Sequence, residues 1–161
     1  MALHSKIEAK GQDIVVTLSG VIDERATLPV FAEVSGHLFI NLEQLTMINS
    51  IGCRSWVHWF KEVVRAKGGV SLIKCSPAIV HQINILSGFL PKGVRVDSFY
   101  VPYHCDECGH QDQILLVHGQ DYNDERLLNE VTSRLCGACG ALMSPDIIEK
   151  RYFQFLSKKA A

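Results

Sequence analysis

Two Cys-x-x-Cys-Gly motifs constrain this sequence more than any other feature, and they span Cys105–Gly109 and Cys136–Gly140. Each motif is a turn in which two thiolates can grip one ion, and the glycine that follows can adopt the positive φ needed where the chain doubles back. The spacing predicts that both turns converge on one closed tetrahedral site. The predicted ligands are Cys105, Cys108, Cys136 and Cys139.

Four thiolates favour Zn2+, but an iron centre uses the same ligand set, so the sequence leaves the metal open. A redox dithiol and a disulfide pair are the alternatives to a metal site. Because four cysteines leave no position for water, we expect a structural ion and not a hydrolytic one. Residues 109–135 exceed the usual spacing between the two halves of a zinc finger, and we therefore expect them to carry structure of their own.

Composition excludes several classes of protein. With 47% hydrophobic residues and a net charge of -1, the chain is not predicted to be disordered. It contains no apolar run of about 18 residues, which argues against a membrane protein. The first residues lack a secretory signal, so we expect a cytoplasmic protein. In that reducing compartment, paired cysteines indicate a metal before disulfides.

The acidic residues concentrate at the carboxyl end. Residues 105–161 carry 6 Lys or Arg and 9 Asp or Glu, a difference of -3. Four thiolates around a divalent ion would add a further charge of about -2 there. A phosphate-binding surface needs a basic surplus, so the charge pattern disfavours nucleic acid as a partner.

Hydrophobic periodicity predicts an α/β domain over residues 1–100. Cys53, Trp56 and Phe60 follow the 3.6-residue period of a long helix. The sequence Ser76-Pro77 predicts a second helix that ends at Gly88. Asp23 is a candidate cap for a short helix that ends at Gly36. The predicted strands cover residues 13–20, 37–42 and 69–74, and the long helix covers residues 51–67.

Residues 101–161 are predicted to form a second, smaller domain around the cysteines. We expect a strand over residues 113–118 and a helix over residues 125–135, where leucines and Val131 have helical spacing. Ser144-Pro145-Asp146 is a helix-start signal for a final helix. The two remaining cysteines, Cys53 and Cys75, lie in apolar surroundings and are expected to be core thiols.

The junction between the second strand and the long helix resembles the signature of STAS domains, the family of anti-sigma-factor antagonists. In that family the strand ends in Asp-Leu and a turn leads to Asp-Ser-Ser-Gly at the helix start. Here the strand ends in Asn41-Leu42 and the helix starts with Asn49-Ser50-Ile51-Gly52. The strand that ends at Gly20 and the following Asp23 also resemble the family's early strand and turn.

The resemblance implies a mixed sheet backed by helices, no catalysis, and binding to a protein partner such as an anti-sigma-factor kinase. By position, Ser50 matches the serine that is phosphorylated in many members. Asn41 and Asn49 replace aspartates, and Ile51 replaces the second serine. The cysteine pairs resemble the rubredoxin-like knuckles of zinc ribbons, which implies a small zinc-ribbon domain and is silent on its partner.

Physical chemistry allows three roles for Ser50. Its hydroxyl could cap the helix, accept a phosphate that the helix dipole would stabilise, or contact a partner without modification. Gly52 is best explained by close backbone approach at the turn. The predicted partner-binding residues are Asp23, Asn49, Ser50 and Gly52.

Three functional hypotheses follow from the sequence. The leading one is a non-catalytic, bacterial-type signalling module that binds a protein partner near Ser50 and carries a structural zinc ribbon. The alternative is a zinc-ribbon adaptor for nucleic acid or a transcription complex. The third is an enzyme, either a Cys-x-x-Cys oxidoreductase or a metal hydrolase. The sequence leaves self-association open.

Overall fold

A five-stranded sheet forms the first part of the chain in the computed structural model, which describes residues 2–30, 36–67 and 69–157. The strands lie in the order of the sequence, with the first two antiparallel and all the others parallel. Their bounds are β1 (His4–Lys10), β2 (Asp13–Ile22), β3 (Leu38–Ile48), β4 (Val70–Ile73) and β5 (Arg95–Val96).

Two helices cover one face of this sheet. The first, α1 (Ser50–Lys67), confirms the predicted long helix and packs against β2 and β3. The second, α2 (Pro77–Ile85), confirms the helix predicted from Ser76-Pro77. Buried side chains alternate along β2, where Val16 and Leu18 are fully inaccessible, so one face of this strand points at the core.

The strand predictions are largely confirmed in this part, but the two-residue β5 was not predicted, and β3 and β1 also differ from the predictions. β3 continues to Ile48, past the predicted end at residue 42, because its buried positions extend to the last residue before the turn. β1 lies outside the predicted strands because its seven residues include one large apolar side chain, Ile7. Its hydrogen-bonded pairing with β2 forms it, and that pairing leaves little trace in hydrophobic periodicity.

The second sheet contains four strands, β6 (Ser98–His104), β7 (Gln111–Val117), β8 (Arg134–Leu135) and β9 (Leu142–Pro145). They lie in the order β7-β6-β9-β8, and every pair is antiparallel. β6 runs across the predicted domain boundary at residue 100. Two short helices, α3 (Glu149–Tyr152) and α4 (Gln154–Ser157), close the described chain.

Two helix predictions are wrong, and the predicted final helix begins later than expected. Residues 125–133 form bends and loop, and residues 134–135 form β8. Ser144 and Pro145 lie in β9, where they pair with β6, and the next helix begins at Glu149. Asp23 begins a turn, since its carbonyl accepts a bond from the Ala26 N–H, and residues 23–30 contain no helix. Residues 31–35 of that predicted helix lie outside the described residues.

The two sheets share one hydrophobic core. Cys75, which follows β4, forms a parallel bridge with Phe99 of β6. The Phe99 ring is fully buried among aromatic rings of the second part. Asn84 of α2 donates to the Tyr152 carbonyl at 2.8 Å and accepts from the Phe155 N–H at 2.9 Å. The rings around Phe99 are Tyr122, Tyr152, Phe153 and Phe155.

None of the helices in the described part of the chain combines the length and the apolar character needed to cross a membrane.

Candidate functional site

Each Cys-x-x-Cys-Gly motif forms the tip of a β-hairpin. The first motif joins β6 to β7, and the second joins β8 to β9. In the first tip the Gly109 N–H donates to the Cys105 carbonyl at 2.9 Å, and in the second the Gly140 N–H donates to the Cys136 carbonyl at 2.9 Å. These matching bonds give the two tips the same fold.

The two glycines adopt the conformation that the motifs predict. Gly109 has a φ of +77° and Gly140 a φ of +78°. A Cβ at either position would meet nothing within 4 Å, so the requirement for glycine comes from the backbone angle and not from crowding.

The two tips bring the four predicted ligand sulfurs together. All four Sγ atoms lie within 4.8 Å of one another. The Sγ atoms of Cys105 and Cys139 are 3.6 Å apart, and those of Cys108 and Cys136 are 3.7 Å apart. These distances exceed a disulfide bond, and all six cysteines are free. A tetrahedral site with Zn–S bonds of about 2.3 Å would place its sulfurs about 3.8 Å apart, so the residues fit such an ion.

The environment of the sulfurs also suits a cation. The backbone N–H of Cys139 points at Cys136 Sγ and, together with that of Ala138, lowers the pKa of Cys136 to about 6. The His110 N–H lowers the pKa of Cys108, but desolvation and the neighbouring thiols outweigh it and raise that pKa to about 12. Four thiols this close cannot all ionise at neutral pH without a compensating positive charge, and a divalent ion supplies that charge.

The cluster is half buried. Cys105 and Cys136, the first cysteine of each tip, are buried, whereas Cys108 and Cys139 are exposed. A hydrogen bond beside the cluster holds the intervening loop, since the Tyr103 hydroxyl donates to the Thr132 carbonyl at 2.7 Å. The cysteine cluster is therefore open to solvent on one side and fixed to the sheet on the other.

Asn49, and not Ser50, caps the start of α1. Capping was one of the three roles that the sequence allowed for Ser50. The Asn49 Oδ1 accepts a bond from the Gly52 N–H at 2.7 Å, and the Asn49 carbonyl accepts from the Cys53 N–H at 2.8 Å. Ser50 is exposed at the first position of the helix. The serine hydroxyl is therefore presented to solvent by a helix start that another residue stabilises.

Gly52 is buried against the end of β2, as the prediction of close backbone approach requires. A Cβ at this position would lie 2.0 Å from the Ile22 carbonyl oxygen, well inside van der Waals contact. Gly52 thus allows the first turn of α1 to pack directly against the end of β2, beneath the exposed Ser50.

Asp23 and Glu24 lie beside the helix start, because the Asn49 N–H bonds to the carbonyl of the preceding Ile22 at 3.2 Å. Glu24 Oε2 accepts from Asn49 Nδ2 at 3.0 Å, a contact that the sequence did not predict. The Arg25 N–H donates to Asp23 Oδ1 at 2.9 Å and lowers the pKa of that carboxyl. We call Asp23, Glu24, Asn49, Ser50 and Ile51 the helix-start surface.

An apolar side chain belongs to this polar surface. Ile51 is 50% exposed, next to Ser50. Single exposed apolar side chains are common on protein surfaces, so the exposure of Ile51 does not by itself mark a binding site. Ile51 is not among the partner-binding residues that the sequence predicts.

The other two cysteines are core thiols, as predicted. Cys75 is inaccessible and Cys53 is 6% exposed. Burial raises the pKa of both thiols, which keeps them protonated and unreactive at neutral pH.

Comparison of the chain with models of known protein families gives no match, and comparison with curated proteins gives none.

Proposed function

We propose that the four clustered cysteines hold one structural Zn2+. The convergence of four sulfurs from two hairpin tips carries this proposal. When bound, the ion supplies the positive charge that stabilises four thiolates and leaves no position for water. The chain's own contribution is to orient the sulfurs, through the positive-φ glycines and the N–H groups aimed at sulfur.

Cobalt substitution tests the ligand set. We expect one Co2+ per chain and the intense visible absorption typical of tetrahedral thiolate coordination, and we expect Zn2+ to displace it. Cys108→Ser and Cys139→Ser should each lower the affinity of the chain for both Co2+ and Zn2+. A weak, octahedral-type spectrum would contradict four-sulfur coordination.

We further propose that the chain is a non-catalytic, cytoplasmic regulatory module of the STAS type that binds a protein partner through the helix-start surface. The observation that supports this best is the division of roles at the start of α1. Asn49 caps the helix and Gly52 packs it against β2, so Ser50 and Ile51 are exposed on a rigid turn. The sheet order, with one antiparallel and three parallel pairs backed by helices, agrees with the resemblance to that family.

Phosphorylation of Ser50 is the proposed switch. The helix N-terminus favours a dianion, whereas Asp23 and Glu24 already make the adjoining surface acidic. A phosphate on Ser50 would be stabilised by the helix N-terminus, would add to the negative charge of Asp23 and Glu24, and would disrupt the contacts of a partner that binds the unmodified serine. The type of partner that the resemblance implies is an anti-sigma-factor kinase.

Capture of partners on the immobilised, metal-loaded chain tests this proposal. Proteins retained by the native chain and by Ser50→Ala should be lost with Ser50→Asp and with Ile51→Asp. The matched control is Ser87→Asp, which places the same charge on an exposed residue after α2. Retention of the same proteins by all variants would contradict the proposed surface.

The same experiment separates the surface from the switch. If Ile51→Asp abolishes capture while Ser50→Asp does not, the surface binds the partner but phosphorylation does not regulate it. Mass spectrometry of the chain isolated from cells should detect a phosphate on the peptide that contains Ser50. Thermal melting of each variant should match the native chain, because both positions are exposed.

A further inference from the structure

Among the described strands, β1 is the longer of the two edge strands of the five-stranded sheet, and the two-residue β5 lies at the opposite edge. Six of its seven residues are exposed, and Glu8 is half buried. Ile7 is 49% exposed although Val16, its neighbour on β2, is fully buried. The hydrophobic core therefore ends at β2, and Ile7 lies beyond it on the edge strand with half of its surface exposed.

An exposed edge is a template for another strand, and proteins often protect it with charges. Here the charges form an ordered pattern. Lys6 and Glu8 flank Ile7 in the sequence and lie 3.5 Å apart at Nζ and Oε1. Because side chains alternate along a strand, both point to the sheet face opposite Ile7.

We propose that two copies of this chain associate through β1, paired antiparallel about a two-fold axis at Ile7. In this register Lys6 of each copy lies directly opposite Glu8 of the other, and the two Ile7 side chains meet across the axis. The interface thus contains two cross-strand ion pairs on one face and an apolar contact on the other. The two sheets become one continuous sheet.

The charges select this register over the alternatives. Centring the axis on Lys6 opposes two lysines, and centring it on Glu8 opposes two glutamates. A parallel, in-register pairing opposes like charges at both positions. A slip by an odd number of residues places the apolar face of one strand beside the charged face of the other. At the ends of the proposed register, Ser5 lies opposite Ala9 and His4 lies opposite Lys10. Neither of these pairs adds an attraction between opposite charges.

Charge exchange between Lys6 and Glu8 tests the proposal. The metal-loaded full chain is examined by sedimentation equilibrium over a concentration series. The edge is shorter than a standard interface, so we expect a reversible dimer with a dissociation constant of about 10–1000 µM. Lys6→Glu or Glu8→Lys alone should weaken it at least about tenfold, because each change creates two like-charge pairs.

The double variant with Lys6→Glu and Glu8→Lys should restore the native dissociation constant, because it reverses both pairs and keeps them opposite. Lys61→Glu, an exposed position on α1, is the control for net charge and should leave association unchanged. A chain that stays monomeric throughout the series would overturn the proposal. So would a dimer that neither single variant weakens, or single-variant losses that the double variant does not restore.

Discussion

At the scale of single residues, the start of α1 shows how neighbouring side chains divide their roles. Serine and asparagine are comparable helix caps, so the sequence Asn49-Ser50 leaves the capping residue undecided. In the structure β3 ends at Ile48, and this placement puts Asn49 at the capping position. The bond from its amide to Glu24 then ties the cap to the end of β2. Hydrophobic periodicity therefore predicts α1, but the point at which β3 ends determines that Asn49 caps it.

Replacement of Asn49 should therefore cost more stability than replacement of Ser50. Asn49→Ala removes the cap of the Gly52 N–H and the bond to Glu24, and we expect a loss of about 1–2 kcal/mol in the free energy of unfolding. Ser50→Ala should change it by less than about 0.5 kcal/mol. Urea denaturation of the metal-loaded chain measures both. An equal or larger cost for Ser50→Ala would contradict the assignment of the cap.

Gly52 makes a second prediction at this scale. A methyl group here would overlap the Ile22 carbonyl, and the backbone would have to move. We expect Gly52→Ala to lower the free energy of unfolding by at least about 2 kcal/mol. Gly137→Ala is the matched control, because its Cβ would meet nothing within 4 Å. Urea denaturation measures the free energy of unfolding of both variants. Equal values for Gly52→Ala and Gly137→Ala would contradict the close approach of α1 to β2.

At the scale of elements, the sequence predicts the helices and strands whose apolar side chains are buried in the core. It does not predict the structure of residues 125–135, the segment before the second Cys-x-x-Cys-Gly motif. The spacing of leucines in residues 125–135 is helical, but Asn123 Oδ1 accepts the N–H groups of both Glu125 and Arg126. Such local bonds compete with a helix. The chain then enters β8, whose pairing with β9 positions the second knuckle. Hydrophobic periodicity in the sequence reveals neither the bonds to the Asn123 side chain nor the pairing of β8 with β9.

The link between α2 and the last helices gives a prediction at this scale. Asn84→Ala removes the two hydrogen bonds to Tyr152 and Phe155 and should lower the free energy of unfolding by about 1–3 kcal/mol. Hydrogen exchange should accelerate most at the amides of α3 and α4. Ser87→Ala, an exposed change near the same helix, is the control. Unchanged exchange in α3 and α4 would contradict the proposed link.

At the scale of the whole molecule, the two sheets meet through side chains that the sequence places far apart. The predicted separation at residue 100 followed the change from α/β periodicity to cysteine motifs. β6 crosses that position and carries Phe99 into the shared core. The convergence of the four cysteines could be predicted from their spacing alone, because two Cys-x-x-Cys-Gly motifs can form one closed four-sulfur cluster. The partners of Phe99 could not, because aromatic residues at positions 122, 152, 153 and 155 share no local pattern.

Tyrosines at this junction make stability sensitive to alkaline pH. Burial raises the pKa of Tyr152, and burial together with Glu43 raises that of Tyr100 to about 12. A raised pKa in the folded state adds stability that is complete below the unfolded pKa of about 10 and is lost as pH rises above it. We expect the free energy of unfolding to fall above about pH 10, by at most about 1.4 kcal/mol per pH unit for each such tyrosine.

Tyr152→Phe tests the source of that dependence. Because phenylalanine does not ionise, the decline of stability above about pH 10 should be shallower in this variant than in the native chain. Denaturant titrations at a series of alkaline pH values give the two slopes. Identical slopes would show that the Tyr152 hydroxyl does not contribute.

The central claim is that two distant hairpin tips hold one ion, and native mass spectrometry combined with elemental analysis tests it most directly. The account predicts one zinc per native chain, no disulfide, and loss of the metal in Cys105→Ser and Cys136→Ser, with the metal retained in the control Cys53→Ala. A native chain that carries no metal, or one whose four cysteines are joined as disulfides, would contradict it.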